Sequence, residues 1–215
     1  SLILTNRASV VLVYVDATKG WLFTDEHNVA SLAKPIFTEA TGGTITTSGN
    51  FKIHTFTGDG CFVVSQLGNS SIIPTGGPSN VDYLVVAGGA ASCRGQNGQT
   101  SGGGGAGGYR TSFPSPGCNA GAFPVSAQTY PITVGGGGTA GANGSNSAFS
   151  TITSAGGGRS GGTYNTNGAA GGSGGGGRSC GFSSPTFGTG GAGNTPPVSP
   201  PQGNSGGNGD GNQPT

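Results

Sequence analysis

The sequence predicts an all-β chain: a short antiparallel β region at the N-terminus, then a β base carrying glycine-rich polyproline- or polyglycine-II-type helices. Three observations lead there. Apolar residues alternate with polar ones in short runs, and no 3.6-residue stripe appears except over residues 29–33. Glycine is split unevenly, 9 in residues 1–83 against 40 in residues 84–215. Within the glycine field, short runs of β-formers recur, each opening on an aromatic residue and closing on a glycine tract.

Residues 9–15 (Ser-Val-Val-Leu-Val-Tyr-Val) are β-branched and aromatic, and Asp16-Ala-Thr-Lys-Gly20 ends them as a turn before the short strand at Trp21-Leu-Phe. Residues 44–47 and 51–57 alternate apolar and polar. Gly58-Asp-Gly60 then leads into Cys61-Phe-Val-Val-Ser, so a hairpin of 51–57 with 61–65 is expected. Residues 81–87 form the next strand. Tyr83-Leu-Val-Val-Ala, Tyr130-Pro-Ile-Thr-Val and Phe149-Ser-Thr-Ile-Thr-Ser-Ala each run into glycine, and these three runs are expected to pair as the base. The composition shifts near Tyr83. The domains expected are 1–40, 41–193 and a Pro/Gly/Asn-rich tail over 194–215, read as a further strand of the bundle or a loose end. A first residue Ser1 and the absence of Met suggest a piece of a longer protein.

Ordering some 40 glycines costs about 1–2 kcal/mol each in backbone entropy, and glycine has no side chain to bury in return. The tracts are therefore linkers or a lattice held by main-chain hydrogen bonds. A polyproline-II backbone has three residues per turn and no internal hydrogen bonds, so its amides and carbonyls point outward to neighbours. The strands inside the glycine field would tether both ends of each excursion, which favours the lattice. Runs such as 102–105 and 174–177 break the strict third-residue glycine of collagen.

The residue inventory argues against an enzyme. No Asp or Glu stands between Asp82 and Asp210, and no His follows His54. That stretch has no carboxylate pair, no histidine base and no oxygen-rich metal cage. Gly103, Gly105 and Gly108 satisfy a dinucleotide fingerprint, but Gln128 stands where its acidic residue belongs. His27 beside Asp25 and Glu26 reads as a polar loop, and His54 as a surface or subunit-contact residue. No cofactor is implied. The net charge of +1 gives no field for nucleic acid, and the longest apolar run, residues 10–15, is too short to insert in a membrane. Cys61, Cys93, Cys118 and Cys180 lack CxxC spacing. Cys93 with Cys118 is the first disulfide to test, with free thiols the equal alternative. Sequons at Asn69 and Asn143 are expected by chance in a chain this rich in Asn, Ser and Thr.

Thr41-Gly-Gly-Thr-Ile-Thr-Thr-Ser-Gly-Asn-Phe-Lys-Ile-His-Thr-Phe-Thr-Gly, then Val81-Asp-Tyr-Leu-Val-Val-Ala-Gly-Gly and Gly102-Gly-Gly-Gly-Ala-Gly-Gly-Tyr-Arg-Thr-Ser, resemble the glycine-rich domain of tailed-phage fibres and adhesins. Residues 6–21 resemble the shaft-proximal segment preceding it in fibres of marine and cyanobacterial phages. The resemblance implies a virion surface protein, homotrimeric, extracellular, assembled with other tail or fibre subunits and recognising a host. It also implies a domain that continues past Thr215. Ala90-Ala-Ser-Cys-Arg94 departs from the longer glycine run usual there, which puts the regularity of 90–108 in question.

On such a scaffold, recognition is expected in the turns where bulky residues interrupt glycine: 94–99, 109–113, 164–167 and 182–187. The candidate receptor-binding residues are Arg94, Tyr109, Arg110, Phe113, Tyr164, Asn165, Asn167, Phe182 and Phe187. Aromatic faces and amides suit a host glycan or the edge of an outer-membrane protein. The plainer alternative for the aromatics is that they cap the bundle's apolar ends. A structural fibre or extracellular filament subunit is the competing function. An ice-binding glycine-helix protein is a third, disfavoured by the irregular tracts.

Overall fold

The computed structural model describes residues 8–28, 34–94, 100–112, 120–162, 167–179 and 187–209. All of its regular elements there are strands, in several small antiparallel sheets. The chain divides into two compact units, Ser1–Glu39 with Gln66–Ser79, and Ala40–Ser65 with Asn80–Thr215.

In the first unit, β1 (Ala8–Asp16) and β2 (Gly20–Asn28) form a hairpin. Asp16 closes its turn: Oδ1 accepts from the amides of Thr18 (2.8 Å) and Lys19 (2.7 Å). Tyr14 and Trp21 meet edge to face at 5.4 Å. Side chains on both faces are exposed, Leu12 at 49% and Val13 at 48%. Elsewhere in this unit Asn69 spans two strips of chain, accepting from Ile36 N–H (2.9 Å) and donating to the Lys34 carbonyl (3.0 Å). Residues 29–33, the exception to the absence of a 3.6-residue stripe, lie outside the described residues.

The second unit holds the core. A five-stranded sheet runs β13 (Ile152–Ser154), β12 (Ser147–Phe149), β11 (Thr129–Thr133), β6 (Gly60–Gln66), β3 (Glu39–Thr41). The alternation along β6 buries Phe62 and Val64, and the facing strands bury Tyr130, Phe149 and Ile152. Phe149 is the hub, with ring centroids 5.0 Å from Phe123, 5.9 Å from Tyr130, 6.0 Å from Phe62 and 6.4 Å from Tyr83. Phe123 arrives on β10 (Phe123–Pro124), paired with β7 (Asn80–Val81). β8 (Leu84–Val86) pairs with β9 (Tyr109–Thr111) and turns Val85 inward, where the fully buried Ser154 hydroxyl donates to the Val85 carbonyl at 2.8 Å.

Three sequence expectations are corrected. Residues 51–57 do not form a hairpin with 61–65. β5 (Phe51–Thr55) pairs instead with β4 (Thr44–Ser48) through a two-residue turn with Gly49 at φ 55°, and β6 takes its partners from β11 and β3. Residues 149–155 are not one strand. They turn at Ser150 (φ 53°), and β12 and β13 pair with each other. The runs opening at Tyr83, Tyr130 and Phe149 do not all pair with one another: β11 pairs with β12, but β8 pairs with β9 in a separate two-stranded sheet. His54 is half-buried, with its Nδ1 2.8 Å from the Gly42 carbonyl and its ring edge-on to Phe62 at 5.0 Å.

Strands β8, β11 and β13 run directly into glycine-rich segments, which have no sheet pairing yet are closely hydrogen-bonded. Residues 171–177 donate, in order, to the carbonyls of Ala192, Gly156, Ala106, Asn204, Ala169, Gly103 and Gly207, over distances of 2.8 to 3.1 Å. A β-strand can bond to only two neighbours; these amides reach five stretches of chain. Donors to any one neighbour recur at every third residue. Ser173 and Gly176 reach Ala106 and Gly103, Gly174 and Gly177 reach Asn204 and Gly207, Gly105 and Gly108 reach Gly158 and Ala155. The same step holds where alanine replaces glycine, for Ala87 and Ala90 reach Gly108 and Gly105. Neighbours run both parallel and antiparallel.

The closeness explains the composition. A Cβ on Gly174 would meet the Gly191 carbonyl, one on Gly175 the Arg159 carbonyl, and one on Gly177 the Gly188 carbonyl, each nearer than real Cβ atoms come. None of these glycines has a positive φ, so space, not backbone conformation, requires them. Gly103, Gly136 and Gly207 instead have nothing within 4 Å of that position. Gly174→Ala is therefore expected to cost about 3 kcal/mol or more, and Gly207→Ala less than about 1 kcal/mol, in paired denaturant titrations. Equal losses would show that the segments are not packed main chain to main chain.

Candidate functional site

Each glycine segment has one end at the aromatic core and one away from it. At the core end, Gly108 N–H donates to Ala155 (2.7 Å), Gly135 N–H to the Ser147 hydroxyl (2.9 Å) and Ala155 N–H to the Gln202 amide oxygen (2.7 Å). Away from the core, the roots of the turns are tied to one another. Gly141 N–H reaches the Ser92 carbonyl (3.3 Å), and Cys93 N–H reaches the Ser160 hydroxyl (2.8 Å). Thr100 Oγ1 lies 3.5 Å from the Ser179 carbonyl, Gly188 N–H reaches Arg178 (2.9 Å), and Gly209 N–H reaches Gly188 (2.8 Å). Turns far apart in sequence are thus anchored at one end of the unit.

The candidate residues divide accordingly. Arg94, Asn167 and Phe187 stand at the roots of these turns, all exposed, Phe187 at 49%. Tyr109 and Arg110 do not. Residues 109–111 are strand β9 at the core end, held to β8 in the register Val86↔Tyr109 and Val85↔Arg110, so the turn expected over 109–113 is corrected to a strand there. Tyr109 nonetheless exposes 46% of its surface, and Arg110 Nη1 lies 3.4 Å from the Thr153 carbonyl. Phe113, Tyr164, Asn165 and Phe182 lie outside the described residues.

Asn167 has lattice work. Its Oδ1 accepts from Thr189 N–H at 3.0 Å, standing in for a main-chain carbonyl. Asn143, Asn146 and Asn208 do the same for Arg159, Gly156 and Gly190. Asparagine here patches the register where the neighbouring chain offers no carbonyl. That role was invisible to a reading that took Asn for surface recognition.

Cys93 carries a free thiol, 3.0 Å from the Ser160 carbonyl to which it donates. Of the two alternatives the sequence left open, the free thiol is the one seen at Cys93; Cys118, the disulfide partner offered for it, lies outside the described residues. Cys61 is also free and exposed.

Of the stretch 194–215, read as a further strand of the bundle or a loose end, residues 194–201 turn and 202–209 bond to the neighbouring glycine segments, while 210–215 lie outside the described residues. Asn194 Oδ1 accepts from the amides of Val198 (3.1 Å) and Gln202 (3.2 Å), closing the turn. Buried Gln202 then fastens the returning chain, its Nε2 donating to the Pro196 carbonyl (2.8 Å) and its own carbonyl accepting from Tyr109 N–H (2.8 Å). Neither the turn at 194–201 nor its anchoring by Gln202 was read from the sequence.

Among the described residues no group of three or more His, Cys, Asp or Glu could hold a metal ion, and no helix is long and apolar enough to cross a membrane. A sequence profile described as a glycine-rich domain matches residues 64–215. No curated protein and no solved structure matches the chain.

Alkylation of the native chain followed by peptide mass spectrometry is expected to label Cys61 within minutes and Cys93 more slowly, without prior reduction. A recovered Cys93–Cys118 cross-linked peptide would overturn the free-thiol assignment.

Proposed function

The chain belongs to the glycine-rich domain family, and on that premise we propose that it is a virion tail-fibre protein whose turns recognise a host-cell surface receptor. The glycine segments are read as polyglycine-II-type helices, supported by the third-residue step of their hydrogen bonds. One observation carries the functional reading: the roots of several turns, distant in sequence, are bonded together at the end away from the aromatic core. Such a scaffold keeps its shape through main-chain bonds and leaves no room for side chains at its closely packed glycines. Room for bulky residues lies in the turns, the arrangement that suits a surface whose binding specificity must change while its frame does not.

In this reading Arg94, Phe187 and the residues between the roots, Tyr164, Asn165 and Phe182 among them, make the contacts. Asn167 holds the frame beneath them. Tyr109 and Arg110, at the other end, are set aside as contacts. The protein acts as a homotrimer at the virion surface with other fibre subunits, and its receptor is a glycan or the edge of an outer-membrane protein. The exposed apolar β1–β2 hairpin favours self-association and is compatible equally with the second reading, a filament subunit without receptor binding.

Fluorescently labelled full-length chain, incubated with candidate host cells, is expected to adsorb, and Tyr164→Ala with Asn165→Ala to reduce adsorption at least tenfold without changing thermal unfolding. Adsorption to no host tested, together with concentration-dependent fibre growth, would establish the filament reading instead.

A further inference from the structure

Charge in the glycine-rich stretch of residues 83–209 is of one sign. From residue 83 to residue 209 the chain holds Arg94, Arg110, Arg159 and Arg178 and no carboxylate. Arg110 sits at the core end, where the unit's described acids also lie: Asp59 accepts from Val134 N–H and Asp82 from the Ser112 hydroxyl, each at 2.8 Å. The other three arginines gather toward the turn end. Arg94 is exposed. Arg159 Nη1 lies 3.3 Å from the Ser160 carbonyl and 4.0 Å from the sulfur of Cys93, the residue before Arg94. Arg178 is buried at the root of the next turn, its carbonyl accepting from Gly188 N–H. Asp210, the one acid that follows in sequence, lies outside the described residues; it could offset at most one of three charges.

We propose that this end binds a polyanionic glycan, one bearing sulfate or carboxylate groups along its chain. The proposal rests on the receptor-binding reading above and names the ligand class. Guanidinium forks match planar carboxylate and sulfate oxygens with two parallel hydrogen bonds. The walls beneath are hydrogen-bonded main chain, and residues 83–209 bring no acidic side chain to oppose the three arginines. A single exposed ion pair is weak in water. A polymer offering several anions at once is therefore favoured over a small anion. The chain's net charge of +1 gives little global attraction, so binding should depend on this end alone.

The test titrates the full chain with dextran sulfate, with polygalacturonate and with neutral dextran. Binding to at least one of the two anionic polymers and not to neutral dextran is expected, weakening about tenfold between about 50 and 300 mM salt. Which polymer binds tells sulfate from carboxylate. Arg94→Glu should weaken it roughly tenfold or more, and Lys52→Glu, the same charge change on β5, less than about twofold. Equal weakening by both variants, equal binding to neutral dextran, or binding to neither polyanion overturns the proposal. Cell adsorption separates it from the reading it rests on. Adsorption that survives Arg94→Glu and excess dextran sulfate sinks the anionic ligand and leaves a receptor. Arg94-dependent dextran sulfate binding by a chain that adsorbs to no cell supports the anion site and sinks the receptor reading.

Discussion

Glycine segments in this protein approach until the carbonyl of one occupies the place where a side chain of the next would start. Everything else in the second unit follows from that spacing. Each amide at 171–177 finds a carbonyl on a neighbouring stretch, and successive amides point to different neighbours. The bonds replace the hydrophobic interior that these residues cannot form. Single hydrogen bonds add only about 1 kcal/mol net, but every buried amide left without one would cost more. The lattice is consequently all or nothing over long stretches, and Asn143, Asn146, Asn167 and Asn208 supply acceptors where the main chain falls short.

Such a lattice cannot start itself. Glycine carries no preference for one register over another, and its entropy loss on ordering is the largest of any residue. The aromatic core supplies the missing register. Phe62, Tyr83, Phe123, Tyr130 and Phe149 pack around one another, and β8, β11 and β13 carry their fixed alignment directly into residues 88–91, 135–138 and 156–161. Side-chain chemistry thus sets the geometry at one end, and main-chain chemistry propagates it. The turn end inherits order from both, which is why roots as distant as Cys93 and Ser160 meet there.

Much of this was legible in the chain itself. The strands at 9–15, 44–47, 61–65 and 130–134 follow from alternation and β-branching, which are local signals. Less legible was the candidate site. Tyr109 and Phe187 look alike in sequence, bulky residues beside glycine, yet one belongs to a strand at the core and the other to a turn root. Asn167 looked like a ligand contact and is engaged with Thr189 N–H.

What the amino-acid order determined alone was the inventory: an all-β chain, glycine concentrated in its later part, no acid between Asp82 and Asp210, and bulky residues at the interruptions of the glycine tracts. Tertiary structure alone decided the partners. It paired β5 with β4 rather than with β6, folded 149–155 into a hairpin, locked 202–209 through Gln202, and brought three of the four arginines of residues 83–209 toward one end. The physical reason is that periodicity resides in neighbouring residues. The amides of a glycine tract are chemically identical, and only the lengths between anchored strands choose which carbonyl each one meets.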